Sequence, residues 1–308
     1  MGGRVDHLWR YLIDARYRRA IRYELPKNSG EPKAPDGIYY LASATIVKNE
    51  ARFLREFVLF HQLVGVDHML IYDDGSEDDI IGVLAPFTDT GFVELIPWPR
   101  FQKNRNNQFL AYQHALSYMR NLTFWLAMID CDEFLFSPGD HSLKDQLRKR
   151  ENFSALGVYS RTFGTSGLDE IPVGGLVMEW LTKRPSDEFY KNWTQRTIVQ
   201  PRLAKAVRSA NSVLLYNADN LGWDETGAPI EETGEPGHTT GELRINHYFT
   251  RARGDFERKI ARQYFGKSNL HRKMKMKNTE ADELDTNNVA DFEIQKFLPE
   301  LKKRIGQE

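Results

Sequence analysis

Three carboxylates fall within four residues at Asp130-Cys131-Asp132-Glu133. They follow Phe124-Trp125-Leu126-Ala127-Met128-Ile129, an uncharged apolar run that reads as a strand buried on both faces. The acids therefore stand where that strand ends, and in open α/β sheets ligands bind at the carboxyl ends of strands. If the chain stays extended, Asp130 and Asp132 point to one side. Carboxylates so placed repel one another unless a proton or a cation sits between them. A hard divalent ion, held by oxygen and bridging to substrate phosphates, suits the place. Strand-end acids that only face water are the plain alternative.

Other groups with chemical potential lie at further strand ends. Lys48-Asn49-Glu50 follows the apolar stretch 38–47, and Asp73-Asp74-Gly75-Ser76 follows the stretch 69–72. Asp and Gly favour turns for their own sake, but Asp73 is placed to accept hydrogen bonds from a nucleobase or a ribose. Asn49 suits the N-cap of the next helix, and Glu50 reads equally as an N-terminal helix acid. Lys103 and Arg105 either face phosphates or are solvated. Gly164-Thr165-Ser166-Gly167 lets backbone approach a ligand closely, and Asp169, Glu170 and Glu179 are the next carboxylates along the chain. His247 closes an apparent strand; it reads as a metal ligand or as a satisfied structural histidine. Mixed oxygen and imidazole ligation suits Mn²⁺ better than Ca²⁺.

Regular elements must bring these groups together. After the strand at 38–47, Phe53, Leu54, Phe57, Val58, His61 and Val64 make one helical face, on which His61 reads as a core-edge residue. Residues 69–72 and 92–96 read as strands around a short helix at 78–87. Gln108, Ala111, Tyr112, Ala115, Leu116 and Met119 recur at helical spacing and place a helix beneath the acid-bearing strand. Residues 142–150 read as a surface helix, and 156–163, 198–199, 213–215 and 243–248 as strands. Such alternation predicts an α/β fold with a largely parallel, doubly wound sheet flanked by helices. The Gly- and Pro-rich segment 217–241 reads as a flexible insert, either a lid or a disordered loop.

The 308-residue chain is 41% hydrophobic and 28% charged, so it is globular and can bury a large core. Its 42 Lys plus Arg balance 43 Asp plus Glu, which gives no reason to expect a nucleic-acid partner. A single cysteine, Cys131, excludes an internal disulfide and fits a reducing compartment. No apolar run approaches the roughly 18 residues of a spanning helix, and no secretory h-region opens the chain. The expectation is a soluble, cytoplasmic protein. Residues 1–25 carry Arg4, Arg10, Arg16, Arg18, Arg19 and Arg22 among apolar residues at helical spacing. This basic amphipathic helix either lies on an anionic membrane surface or docks on its own domain. Residues 26–37 read as a linker, 38–265 as the catalytic domain, and 266–308 as a basic C-terminal extension ending in a helix.

Taken in order, Ala44-Thr45-Ile46-Val47-Lys48-Asn49-Glu50, Ile71-Tyr72-Asp73-Asp74-Gly75-Ser76 and Asp130-Cys131-Asp132-Glu133-Phe134 resemble the GT-A glycosyltransferases. The resemblance is closest to family 2-like enzymes and to glycosyltransferase family 92. Phe163-Gly164-Thr165-Ser166-Gly167 and Asn246-His247-Tyr248 are similar to later motifs of that group. The resemblance implies a GT-A-like fold and transfer of a sugar from a nucleotide donor, a UDP-sugar, to a hydroxyl of a glycan or glycolipid, with inversion. It implies that Thr45, Lys48, Asn49, Glu50, Asp73, Asp74, Lys103, Gln108 and Asp130 line the donor, with Asp73 on the uracil or ribose. Asp132, with Asp130 and His247, would bind Mn²⁺ or Mg²⁺ against the diphosphate, and Asp169, Glu170 or Glu179 would be the base. A nucleotidyltransferase would need a Gly-rich basic loop where Lys48-Asn49-Glu50 stands. A non-catalytic carbohydrate-binding protein on the same fold would have no use for acids at all three strand ends.

Overall fold

The apolar runs pair into one eight-stranded sheet. A computed structural model describes residues 38–98, 107–189, 192, 194–209, 211–219, 221–230, 241–264, 282–283, 285 and 287–306. The basic helix 1–25, the linker 26–37, Lys103, Arg105 and the basic stretch 267–277 lie outside the described residues. In chain order the elements are β1 (Tyr39–Val47), α1 (Ala51–Leu63), β2 (His68–Asp73), α2 (Ile80–Asp89), β3 (Val93–Pro97), α3 (Asn107–Tyr118), β4 (Thr123–Met128) and β5 (Glu133–Phe136). There follow α4 (Leu143–Arg148), β6 (Ala155–Thr162), α5 (Val177–Trp180), β7 (Lys183–Arg184), β8 (Gln195–Val199), β9 (Ala204–Ser209) and β10 (Ser212–Leu215). The chain closes with β11 (Arg244–His247), α6 (Arg253–Tyr264), β12 (Val289–Ala290) and α7 (Leu298–Ile305).

Across the sheet the order is β3-β2-β1-β4-β8-β6-β11-β5. Only β8 and β5 run against the rest, so the largely parallel, helix-flanked α/β sheet expected from the sequence is present. Alternate residues explain why its central strands are largely apolar. Leu41, Met69, Ile71 and Trp125 face α1 and α2, while Ala42, Ala44, Leu70, Tyr72 and Leu126 face α3. Both faces are covered, so both are mostly apolar.

The sheet also curls. Four residues join β4 to β5, although β8, β6 and β11 lie between those strands. A flat sheet would separate them by roughly 19 Å, about the limit of a fully extended connection of that length. β6 is where the sheet divides, pairing with β8 through its first half and with β11 through its last three residues.

Two local readings are corrected. Asn49 does not cap α1: Glu50 holds that position, and Asn49 takes a left-handed backbone at φ 56°. Its side chain is used elsewhere, accepting the Glu77 N–H at 2.7 Å, and its own N–H donates to Ser76 Oγ at 2.9 Å. Asp78 Oδ2 supplies the missing cap by accepting the Ala51 N–H at 2.8 Å. The segment 217–241 is not loose over its described part. The Trp223 N–H donates to Ala155 O at 2.9 Å, the Gly157 N–H donates to Trp223 O at 2.8 Å, and the indole stacks on Phe153. Among the described residues no helix is long and apolar enough to cross a membrane.

Candidate functional site

Parallel register brings three loops to one end of the sheet. Val47 lies beside Asp73, and Ala44 beside Met128, so residues 48–50, 73–76 and 129–133 leave the same edge. Ile129 still belongs to the sheet, its N–H donating to Ala44 O at 3.2 Å. Beyond it the chain turns: the Glu133 N–H donates to Asp130 O at 3.0 Å, and the Asp130 N–H donates to Glu133 Oε2 at 2.9 Å. Extended-chain alternation therefore stops, and Asp130 and Asp132, expected on one side, take different partners.

Asp130 faces the helix beneath the strand. Its Oδ1 accepts from Gln108 Nε2 at 2.5 Å and from the Tyr112 hydroxyl at 3.0 Å, and its Oδ2 accepts from Arg196 Nη2. Arg196 Nε lies 2.7 Å from both Glu133 oxygens, and its Nη1 donates to Asn211 Oδ1. Burial pushes the Asp130 and Glu133 carboxyls up, and the Arg196 guanidinium opposes that shift. Burial also works against the arginine charge, yet Glu133 and Asp130 raise its pKa on balance. One buried guanidinium is thus shared between two buried acids.

Asp132 faces the other way, toward β11 and α6. Its Oδ2 accepts from Lys259 Nζ at 2.7 Å, and its Oδ1 lies 3.6 Å from His247 Nε2. The β5–β11 ladder pairs His247 with Glu133, and the Tyr248 N–H donates to Asp132 O at 2.8 Å, which locks the imidazole beside the turn. Burial would raise the Asp132 carboxyl, but Lys259, His247 and Arg251 together hold it well below the usual carboxylate range. Burial lowers His247 to about 4, so the imidazole is neutral at pH 7.

An ionised carboxylate beside a neutral imidazole is a donor pair for a divalent cation. Ligand atoms about 2.1 Å from one ion lie roughly 3.0 Å apart when adjacent and about 4.2 Å apart when opposed. The 3.6 Å separation is wider than that of an adjacent pair, so one of the two side chains would have to turn toward the other to share an ion. Asp130 fits less well, because both its oxygens already accept from neighbours. Among the described residues no group of three or more His, Cys, Asp or Glu could hold a metal. The remaining positions would fall to phosphate oxygens and water, the usual way such ions complete their coordination.

On the nucleotide side, Asp73 Oδ1 accepts the Ser76 N–H at 2.8 Å, and Asp74 Oδ1 accepts Asn107 Nδ2 at 2.8 Å. Thr45 is buried with its hydroxyl unpartnered, and Lys48 is exposed. Glu50 is buried against Arg251 Nη1. The three base candidates differ in what holds them. Glu170 is exposed and forked by Arg258, both N–O distances being 2.7 Å. Glu179, on α5, pairs with Lys302 of α7. Asp169 is exposed, its carbonyl accepts the Gly254 N–H at 2.9 Å, and its carboxylate has no partner among the described residues.

Sequence reasoning missed the site's cations. Arg196, Arg251 and Lys259 stand 66, 120 and 127 residues from the acid-turn residues they contact, so no local pattern marks them. Arg251 adopts φ 52°, stacks its guanidinium 3.9 Å over Phe53 and reaches Cys131 Sγ at 3.7 Å. With Asn49 and Ser166 it forms a set of left-handed non-glycine residues just beyond β1, β6 and β11. Backbone in that region is disfavoured and tends to gather at functional sites.

Residues 40–226 match the family model for Glycosyltransferase family 92. A family 92 protein of Ricinus communis is 31% identical over 155 residues, 48% of this chain and 27% of that protein. One from Oryza sativa subsp. japonica is 30% identical over 167 residues, 53% of this chain and 28% of that protein. The chain thus spans less than a third of these relatives. Among solved structures, a Mycobacterium tuberculosis glucosyl-3-phosphoglycerate synthase in complex with Mn²⁺ and UDP-glucose is 15% identical, covering 54% of this chain and 57% of that one, with a TM-score of 0.32. With the family model matching more than half of its length, the chain belongs to glycosyltransferase family 92.

Proposed function

We propose that this chain carries the catalytic domain of a metal-dependent glycosyltransferase that moves a sugar from a UDP-sugar to a hydroxyl of a glycan or glycolipid, with inversion. The observation behind this reading is the ionised Asp132 set 3.6 Å from the neutral His247 at the edge where Asp73 also emerges. Asp73 and Asp74, on the loop beside β1, would take the uracil or ribose, with Asn49 fixing that loop through Glu77 and Ser76. Asp132 and His247 would hold a divalent ion, which supplies positive charge against the departing diphosphate. Asp130, held by Gln108, Tyr112 and Arg196, shapes the floor.

Inversion needs a base on the face opposite the leaving group, within hydrogen-bond reach of the acceptor. Asp169 suits this role better than Glu170 or Glu179, which would first have to leave Arg258 or Lys302. Incubation with labelled UDP-sugars and Mn²⁺ tests the reading: transfer or donor hydrolysis supports it. Pyrophosphate-dependent exchange would favour a nucleotidyltransferase, and sugar binding without turnover a non-catalytic protein. For residues 1–25 we propose peripheral attachment to an anionic membrane on the cytoplasmic side, each basic residue contributing on the order of 1 kcal/mol. Removing them should weaken sedimentation with anionic liposomes while leaving the core folded; equal sedimentation of the truncated chain would end that idea.

A further inference from the structure

Lys259 is tied to the centre of the site and has no role in the reading above. It lies in the second turn of α6, with Nζ 2.7 Å from Asp132 Oδ2, 3.5 Å from Phe249 O and 4.9 Å from the Phe249 ring centre. We propose that Lys259 neutralises Asp132 while no ion is bound, and turns to bind the donor diphosphate once an ion has taken its place. This rests on the donor-site reading of Asp132.

Exposure and freedom single out this cation. The Lys259 side chain is 37% exposed against 6% for Asp132, so it lies on the open side of the acid it covers. The two arginines of the site are 8% and 6% exposed, and both are committed. Arg196 spans Glu133, Asp130 and Asn211, and Arg251 spans Glu50, Cys131 and the Phe53 ring. Lys259 has one carboxylate partner among the described residues, a flexible four-carbon stem and three donors that can rotate.

Charge then sets the order of events. Before any ion binds, the charge of the Asp132 carboxylate is met at Oδ2 by the Lys259 ammonium, which has no other carboxylate partner among the described residues. A divalent ion held by the same carboxylate would leave excess positive charge beside that ammonium. The ion and Lys259 therefore repel each other until an anion lies between them. A diphosphate is such an anion: it binds the ion and offers oxygens to Nζ. Lys259 should thus oppose binding of the metal alone and favour binding of the nucleotide.

These opposite effects give the test. Mn²⁺ affinity without nucleotide is read by electron paramagnetic resonance, and uridine diphosphate affinity at saturating Mn²⁺ by calorimetry, on the full chain. In Lys259→Gln, Mn²⁺ alone should bind tighter by about threefold or more, since a nearby like charge is gone. Uridine diphosphate should bind about tenfold to a hundredfold more weakly, the usual effect of losing a charged hydrogen bond. Lys259→Arg should restore most of the nucleotide affinity, because charge and donors return. A purely structural Lys259 would weaken both ligands together and lower the melting temperature, and that result overturns the proposal. Unchanged nucleotide affinity in Lys259→Gln overturns it as well, while leaving the donor-site reading intact. Failure of the wild-type chain to bind either ligand would sink the donor-site reading, and this inference with it.

Discussion

Two acids separated by one residue have been given opposite surroundings. Asp130 accepts hydrogen bonds at both oxygens, whereas Asp132 keeps Oδ1 toward a neutral imidazole. Asp132→Asn keeps shape and removes charge, so the protein should stay folded. Electrostatic groups acting where charge develops are worth about 10²–10³ in rate, and transfer should fall by at least that much, with weaker Mn²⁺-dependent donor binding. Near-native turnover across a Mn²⁺ titration would remove Asp132 from the mechanism. Asp73→Ala belongs at the same scale. Losing one hydrogen bond to a buried donor group should cost roughly 1–3 kcal/mol, or about ten- to a hundredfold in uridine diphosphate affinity, with Mn²⁺ binding unchanged. Calorimetry showing equal affinity would exclude Asp73 from the nucleotide side. The acids were legible in the sequence because strand and strand end are adjacent in the chain. The cations were not, because Arg196, Arg251 and Lys259 reach the turn only through tertiary structure.

Elements show the same division. β1, β2, β3 and β4 could be read to within a residue or two, since burial on both faces leaves an unbroken apolar run. β5 could not be separated from β4: Phe134-Leu135-Phe136 looks like a continuation, and its partner β11 lies more than a hundred residues on. Residue type alone makes Asn49 a candidate cap, but it is Asp78, in another loop, that accepts the Ala51 N–H. β8 matters most to the site, because it carries a guanidinium into the middle of the sheet. Arg196 is buried, and Glu133 is fully buried against it. Removing one partner of such a pair leaves an uncompensated charge, at a cost of about 3–5 kcal/mol. Arg196→Met should destabilise the protein by about that amount in urea unfolding. Adding Glu133→Leu should recover only part of the loss, since it removes one of the two carboxylates that Arg196 offsets and leaves Asp130 without its cation. A loss below about 1 kcal/mol in the single variant would mean that the turn does not depend on β8.

For the molecule as a whole, two buried titratable groups outside the site shape stability in opposite directions. His61 lies between α1 and β5, with Nδ1 2.8 Å from Phe57 O and Nε2 accepting the Leu135 N–H at 3.3 Å. This is the structural role its place on the apolar stripe suggested. Burial lowers its pKa to about 4, against a partial rise from the Phe57 carbonyl. Glu56 is fixed on the neighbouring turn of α1 and accepts the N–H groups of Val177 and Met178 at 2.7 and 3.0 Å, at the start of α5. Burial raises its pKa to about 7, although those two N–H groups pull it down. Because the folded His61 resists protonation, its stabilising effect is complete above its ordinary 6.5 and is lost as pH falls toward 4. Because the folded Glu56 holds its proton, its effect is complete below its ordinary 4.5 and is lost as pH rises through 7. Each shift of about 2.5 pH units corresponds to about 3 kcal/mol, and across the shared window the two slopes oppose. Single variants should separate them. The stability difference between wild type and His61→Gln should grow by about 3 kcal/mol in favour of wild type from pH 4 to 6.5. The difference between wild type and Glu56→Gln should move by a similar amount the other way from pH 4.5 to 7. Urea unfolding at closely spaced pH values measures both. Differences that stay constant with pH would show that neither group titrates differently in the folded and unfolded chain, and the opposed slopes would then have to be abandoned.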